Sequence, residues 1–250
     1  VNRAQARVLL VGVGGLGCPA ALALAHAGIG TLGLADDDEV ERTNLHRQIL
    51  FGDADVGSLK LDAAARALGG NDAVARPGPC PRLELHRTRL LPDNAMELVR
   101  AYDLVLEGSD NFATKFLTAD ACALAGVPVV HASAVRWIGT AFAVGAGGRP
   151  CYRCLFEDVP TGVDAPNCAE AGVMGPVVGV VAAAQVELAL AVLDGLPVEG
   201  QLVTFDGRTD VLRRRAVSRR HDCPLCGQVP PRARIEGIEP ERYISPAFAG

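Results

Sequence analysis

At 250 residues the chain is long enough to bury a full hydrophobic core without staples. Its apolar share is 49% with only 4% aromatic residues, a balance that fits helices packed on parallel strands and excludes wholesale disorder. Lys and Arg number 24 against 29 Asp and Glu, a net charge of −5, so no global positive field exists to hold a nucleic-acid backbone.

Apolar runs of strand length alternate with longer helical stretches, the sequence form of repeated βαβ units. Strands are predicted at Arg7 to Val13, Thr31 to Ala35, Leu83 to Leu90, Asp103 to Glu107 and Val127 to Ser133. Helices are predicted near Leu16 to Ala27, Ser58 to Leu68, Asp93 to Arg100 and Ala113 to Ala125. Gly139 to Val144 and Gln201 to Phe205 read as strands completing the same sheet, on either side of a Pro- and Gly-containing loop and a helix from about Val173. Gly172, Gly175, Pro176, Gln185 and Glu187 interrupt the apolar stretch Ala171 to Leu193, so a buried helix is expected there instead of a bilayer span. The expected organisation is one domain over residues 1–227 and a surface tail over 228–250. At the N-terminus Arg3 and Arg7 run straight into a strand, without the apolar stretch of an export signal, and a cytoplasmic location is expected.

Gly12-Val13-Gly14-Gly15-Leu16-Gly17 lies between the first strand and the first helix. In that context glycines permit a tight turn and let backbone N–H groups approach a phosphate at the helix N-terminus. Asp36 ends the second strand, where a carboxylate can accept from ribose hydroxyls. The glycine motif alone does not separate NAD from ATP. Arg47 and Lys60 favour ATP, because a triphosphate being cleaved needs cations on its phosphoryl oxygens. Gly108-Ser109-Asp110-Asn111 follows the fourth strand, at the carboxyl edge where open sheets bind ligands, and Asp110 is a candidate Mg²⁺ holder.

The order G-x-G-G-L-G, D-x-D-x-V-x-x-x-N-L-x-R-Q, V-G-x-x-K and S-D-N resembles the MoeB and ThiF family of adenylyltransferases for ubiquitin-like sulfur carriers, related to ubiquitin-activating enzymes. The match continues through Cys151-Tyr152-Arg153-Cys154, Asn167-Cys168, Ala171 to Pro176 and Cys223-Pro224-Leu225-Cys226-Gly227. The resemblance implies a Rossmann-like, doubly wound, mostly parallel sheet continued by antiparallel strands. It implies a nucleotide cradle of Gly12, Gly14, Gly15 and Asp36, phosphate contacts from Asn44, Arg47, Gln48 and Lys60, and Asp110 with Asn111 at Mg²⁺. The implied reaction is adenylation of the carrier's C-terminal glycine carboxylate, releasing pyrophosphate, in a homodimer. That nucleophile is already ionised near neutral pH and needs no general base. Two departures stand out. The family's N-terminal R-x-x-R-Q segment is not found from Val1 onward, and D-N-x-x-x-R ends here in Lys115, a point charge in place of a planar fork.

The pairs Cys151/Cys154 and Cys223/Cys226 have zinc-ligand spacing, and four thiolates close a tetrahedral Zn²⁺ shell; two independent redox or buried pairs are the alternative. Cys168 stands alone. A cysteine there forms a covalent link with the carrier in the thiamine branch of the family and is not needed for adenylation in the molybdopterin branch; no adjacent His or Lys marks it as a thiolate. Cys18, Cys80 and Cys122 read as ordinary thiols, and the five histidines as structural or solvent-facing. Only 24 residues follow Cys226, so the sulfur donor is expected to be a separate protein. Other readings remain: a nicotinamide-dependent oxidoreductase, a carrier-binding module without turnover, suggested by Lys115 and the absent N-terminal arginines, and a related dehydratase acting on tRNA, against which the cysteine pairs and the net charge argue.

Overall fold

The computed structural model describes residues 2–69, 80–159, 172–228 and 234–243, and its eight strands form one sheet of order β3-β2-β1-β4-β5-β6-β7-β8. The central strands β1 (Arg7–Val11), β2 (Thr31–Ala35) and β4 (Leu104–Glu107) are near-continuous apolar runs, as strands covered on both faces must be. They pair in parallel with one another and with β3 (Arg82–His86) and β5 (Val129–Val135). From β5 onward each pair is antiparallel, through β6 (Ile138–Val144), β7 (Gln201–Asp206) and β8 (Val211–Ala216).

Helices α1 (Gly17–His26), α2 (Lys60–Gly69) and, later in the chain, α6 (Gly175–Leu193) cover one face of the sheet. Between them in sequence, α3 (Ala95–Arg100), α4 (Phe112–Ala125) and the single-turn α5 (Tyr152–Leu155) cover the other. The chain leaves β1 toward β2, while β4 lies on β1's other side. The connections therefore diverge above the carboxyl ends of β1 and β4, which opens a crevice there. Gly175–Leu193 is long and apolar enough by composition to cross a membrane, and here it packs on β5, β6 and β7. Pro176 sits in its first turn, where a missing N–H costs nothing.

The single mixed sheet and its helices match the expected architecture, with element ends shifted by a few residues. Two differences have clear causes. β8 was not predicted, because its V-L-R-R-R-A sequence lacks apolar alternation; it is an edge strand, held by its ladder to β7. The stretch read as a surface tail is anchored in part, with Ile235 and Tyr243 both buried.

α4 is buried almost all round, so its polar side chains require internal partners. Asn111 caps its N-terminus by accepting from the Thr114 N–H at 2.8 Å, and Gly126 ends it in the left-handed region at φ 71°. Thr118 Oγ1 donates back to the Thr114 carbonyl. Asp120, wholly buried, accepts from Arg153 at 2.9 Å and from the Tyr243 hydroxyl at 2.8 Å, while Arg153 lies 4.8 Å above the Phe116 ring. This network ties α4, the Cys151–Cys154 turn and the C-terminal segment together. Removing one partner of a buried ion pair costs roughly 3–5 kcal/mol, and a hydrogen bond to a charged group roughly 1.5–3 kcal/mol. Asp120→Ala is therefore expected to lose more stability than Tyr243→Phe, measured by urea denaturation.

Candidate active site

The glycine motif forms the turn from β1 into α1. Gly12 has φ +86°, and a Cβ on Gly17 would lie 2.0 Å from the Gly12 carbonyl oxygen, so the loop folds back on the helix's first turn only with glycine at both places. Asp36 Oδ2 accepts from the Val13 N–H at 2.7 Å and Oδ1 from the Asp38 N–H at 2.9 Å. The carboxylate thus holds the glycine loop against the end of β2 and keeps further lone pairs. Burial raises the Asp36 pKa, against the opposing pull of Lys60 and the two backbone bonds. Lys60, almost wholly buried, bonds Asp38 at 2.8 Å and lies 3.9 Å from Asp36.

Residues 42–48 form a short 3₁₀ turn and loop across the mouth of the glycine turn. Arg47 donates to Asn44 Oδ1 at 2.7 Å and lies 3.3 Å from His46 Nε2, and it has no ion pair among the described residues. A Cβ on Gly15 would come within 3.3 Å of the Arg47 stem. Gln48 is buried behind it, its Oε1 without a hydrogen-bond partner among the described residues. Gly15, Arg47, Gly108, Ser109 and Asp110 line one cleft, walled by Val173 and Val178. Asp110 is exposed and makes no hydrogen bond or ion pair among the described residues.

The structure thus brings Gly15, Arg47 and Asp110 into one cleft, with Gly12, Gly14, Asp36, Asn44 and Gln48 around its glycine-loop side. Lys60 is directed to the aspartates at the end of β2. Asn111 is committed to the helix cap. Lys115 does not line the cleft: its Nζ donates to Glu107 Oε2 at 2.8 Å and to the Ala132 carbonyl at 2.6 Å. The expectation that this lysine marks a weakened site therefore loses its ground, since its charge is fully engaged in a buried pair. Cys168 lies outside the described residues. Trp137 packs against the first core, and Arg136, at φ 53°, pairs with the backbone at Gly172 and Met174.

Sequence reasoning missed Glu107, the last residue of β4. It is wholly buried, and its carboxylate accepts from the Ser109 N–H at 2.7 Å, the Ser109 hydroxyl, Lys115 and His131 Nδ1 at 3.3 Å. Gln185 of α6, also buried, donates to the Glu107 and Val130 carbonyls at 2.9 and 2.8 Å. The available signal was a Glu closing an apolar strand, with a Lys in the next helix. Burial opposes its charge, but Lys115 and His131 outweigh burial and hold Glu107 at about 2. Burial also lowers the His131 pKa, against Glu107, so the neutral ring donates through Nδ1.

The four cysteines of the two C-x-x-C pairs converge, with Sγ separations of 3.4 Å for Cys151–Cys223 and Cys154–Cys226, and 3.9 Å for Cys151–Cys154. The two pairs thus form one cluster instead of lying apart in the fold.

A carboxyl held near 2 in the native state and near 4.3 when unfolded contributes stability above the higher value, which is lost as pH falls toward the lower. Acid unfolding of Glu107→Gln, followed by circular dichroism, should show a shallower loss of stability between pH 4.5 and 2 than the wild type.

The ThiF family model matches residues 3–225. The adenylyltransferase and sulfurtransferase MOCS3 of Mus musculus is 44% identical over 239 residues, which is 94% of this chain and 51% of that protein. The Drosophila sechellia protein of the same name is 42% identical over 226 residues, 89% of this chain and 49% of its own. The chain thus spans about half the length of these curated relatives. Among solved structures, E. coli MccB with MccA-N7isoASN superposes with a TM-score of 0.76 at 22% identity, covering 90% of this chain and 68% of that one. E. coli MccB with ATP gives 0.74 at 22% identity, covering 90% and 68%. These two likenesses speak for the fold. With its family model matched across nearly the whole length, the chain belongs to the ThiF family.

Proposed function

We propose that this chain binds ATP with Mg²⁺ in the cleft above β1 and β4 and adenylates the C-terminal glycine carboxylate of a small ubiquitin-like sulfur carrier, releasing pyrophosphate. The observation that carries the reading is the convergence on one cleft of Gly15 with Arg47 and Asp110, neither of which has an ion pair among the described residues, at the point where the sheet's connections diverge. The curated relatives' name, adenylyltransferase and sulfurtransferase, supports the reaction class.

Each residue has a role that its surroundings support. The backbone N–H groups of Gly14 and Gly15 face the phosphates at the start of α1, and Asp36, already holding the loop, accepts from the ribose. Asn44 orients Arg47 through its 2.7 Å bond, leaving the guanidinium's remaining donors for phosphoryl oxygens. Gln48, buried beneath Gly14, supports the loop, and Lys60 supplies a second cation at the ribose end. Asp110, an exposed carboxylate with no partner among the described residues, suits a hard divalent cation, and Mg²⁺ held there would supply charge neutralisation on the phosphates. Asn111 contributes through the α4 cap beside it. With two anions to be joined, alignment and charge neutralisation carry the rate, and no side chain has to remove a proton.

The four cysteine sulfurs suit Zn²⁺. Zn–S bonds of about 2.3 Å in a tetrahedron put sulfurs about 3.8 Å apart, which the separations of 3.4 to 3.9 Å bracket and a disulfide does not. Cys154 Sγ also accepts from the Arg220 N–H. Zn²⁺ would hold the last strands to the α5 turn and takes no part in the chemistry. A cytoplasmic location and a homodimer belong to the same reading.

Isotope exchange between pyrophosphate and ATP, run with Mg²⁺ and a panel of carriers ending in Gly-Gly, tests the reaction; exchange dependent on the terminal glycine is expected, and none with any carrier would overturn it. Arg47→Ala and Asp110→Ala should each lower exchange by roughly 10²–10³-fold while the proteins remain folded. Elemental analysis should find one zinc per chain. Its removal by a strong chelator should lower the melting temperature, because the two ends of the sheet's last segment lose their tie.

A further inference from the structure

Asp110 has no partner of its own among the described residues, so something else must fix where its carboxylate points. Its backbone follows directly from Ser109, and Ser109 is held through both its donors by one oxygen of Glu107. The other oxygen takes Lys115 and His131. From the opposite face of the sheet, Gln185 grips the Glu107 carbonyl. The end of β4 is therefore clamped on both sides, and the turn that leaves it is tied to a buried, paired anion. Gly12 of the glycine loop rests against this turn: a Cβ there would lie 3.3 Å from the Ser109 nitrogen. One carboxylate thus sets the register of two cleft walls.

We propose that Glu107 is a positioning residue that acts through the Ser109 turn to aim Asp110 into the cleft, with Lys115 held on its other oxygen. The proposal rests on the reading of the cleft as a site for ATP with a divalent cation. Its physical basis is the demand for acceptors on both oxygens at once. An ionised carboxylate accepts from both the Ser109 N–H and the Ser109 hydroxyl while its second oxygen holds a cation. An amide of the same size offers one accepting oxygen and an NH₂ that would face Lys115. Glu107→Gln thus keeps the volume and loses the arrangement.

Calorimetric titration of ATP, with saturating Mg²⁺ and again with EDTA, separates this role from a general loss of structure. Ser109→Ala keeps the Glu107–Lys115 pair intact, so it carries the test even if Glu107→Gln fails to fold. Each is expected to weaken binding with Mg²⁺ roughly tenfold, the net worth of a charge-assisted hydrogen bond, and binding in EDTA less than twofold. Lys115→Arg, which keeps the charge, should restore most of what Lys115→Met loses. Tyr243→Phe, which loosens the far end of α4, should lower the melting temperature and leave both affinities unchanged.

The double variant Ser109→Ala/Asp110→Ala provides the sharpest readout. If Ser109 and Glu107 act only by aiming Asp110, the double variant binds Mg²⁺ and ATP no more weakly than Asp110→Ala alone. Additive losses, or Ser109→Ala with wild-type binding in Mg²⁺, would overturn the proposal while the wild type still binds ATP. Absence of Mg²⁺-dependent ATP binding in the wild type itself would instead remove the nucleotide reading, and this proposal with it.

Discussion

A full negative charge sits in the middle of the sheet, and much of the site depends on how it is satisfied. Glu107 ends a strand of three apolar residues and has no exposure to solvent. An unpaired carboxylate there would be protonated or would unfold the region. The chain answers with Lys115 from the helix that follows, His131 from the neighbouring strand and the first two donors of the turn itself. The geometry at the mouth of the crevice is a consequence: once Glu107 is fixed, Ser109 is fixed, and Gly12 and Asp110 lie on either side of it.

α4 carries this constraint across the molecule. It donates Lys115 to Glu107 near its start and Asp120 to Arg153 farther along, so two buried ion pairs on one helix hold it against the sheet and the cysteine turn. Buried pairs of this kind contribute little net stability compared with an apolar replacement, because desolvation offsets most of their attraction. What they do well is reject alternatives. A helix slipped by one residue would strand two buried charges. Tyr152, between Cys151 and Cys154, packs its ring 4.5 Å from His131 and 5.2 Å from Phe116, so the cysteine cluster and the Glu107 cluster share a wall. The cysteine cluster and the crevice are in this way mechanically adjacent.

The sequence revealed what rests on short-range rules. Gly12 to Gly17 between an apolar run and a helical one, Asp36 at a strand end and two C-x-x-C pairs each have a local physical reason, and the structure assembles the glycine loop with Arg47 and Asp110 and brings the four sulfurs together. Partnerships across the fold were illegible. Lys115 read as a substituted active-site arginine because its neighbours in sequence belong to the site, while its true partner, eight residues earlier, faces it only once β4 and α4 have packed. Asp120 and Tyr243 are 123 positions apart, and nothing local marks the tyrosine as an anchor. β8 escaped notice because an edge strand needs backbone pairing, and its arginines obey solvent instead of a core.

The two cations nearest the crevice differ in how they are held. Lys60 is nearly wholly buried between the carboxylates of Asp36 and Asp38, where it balances the acidic end of β2. Arg47 lies across Gly15 with Asn44 and His46 as its hydrogen-bond partners and no carboxylate among the described residues. A cation neutralised by fixed carboxylates adds little to the field felt by an incoming anion, whereas one without a carboxylate partner keeps its charge for it. Arg47 is therefore the residue whose charge the cleft presents, and Lys60 answers first to the aspartates that shape the loop. The same logic applies with opposite sign to Asp110, which has no cation beside it among the described residues: one cleft presents a positive and a negative group that no protein charge among the described residues neutralises.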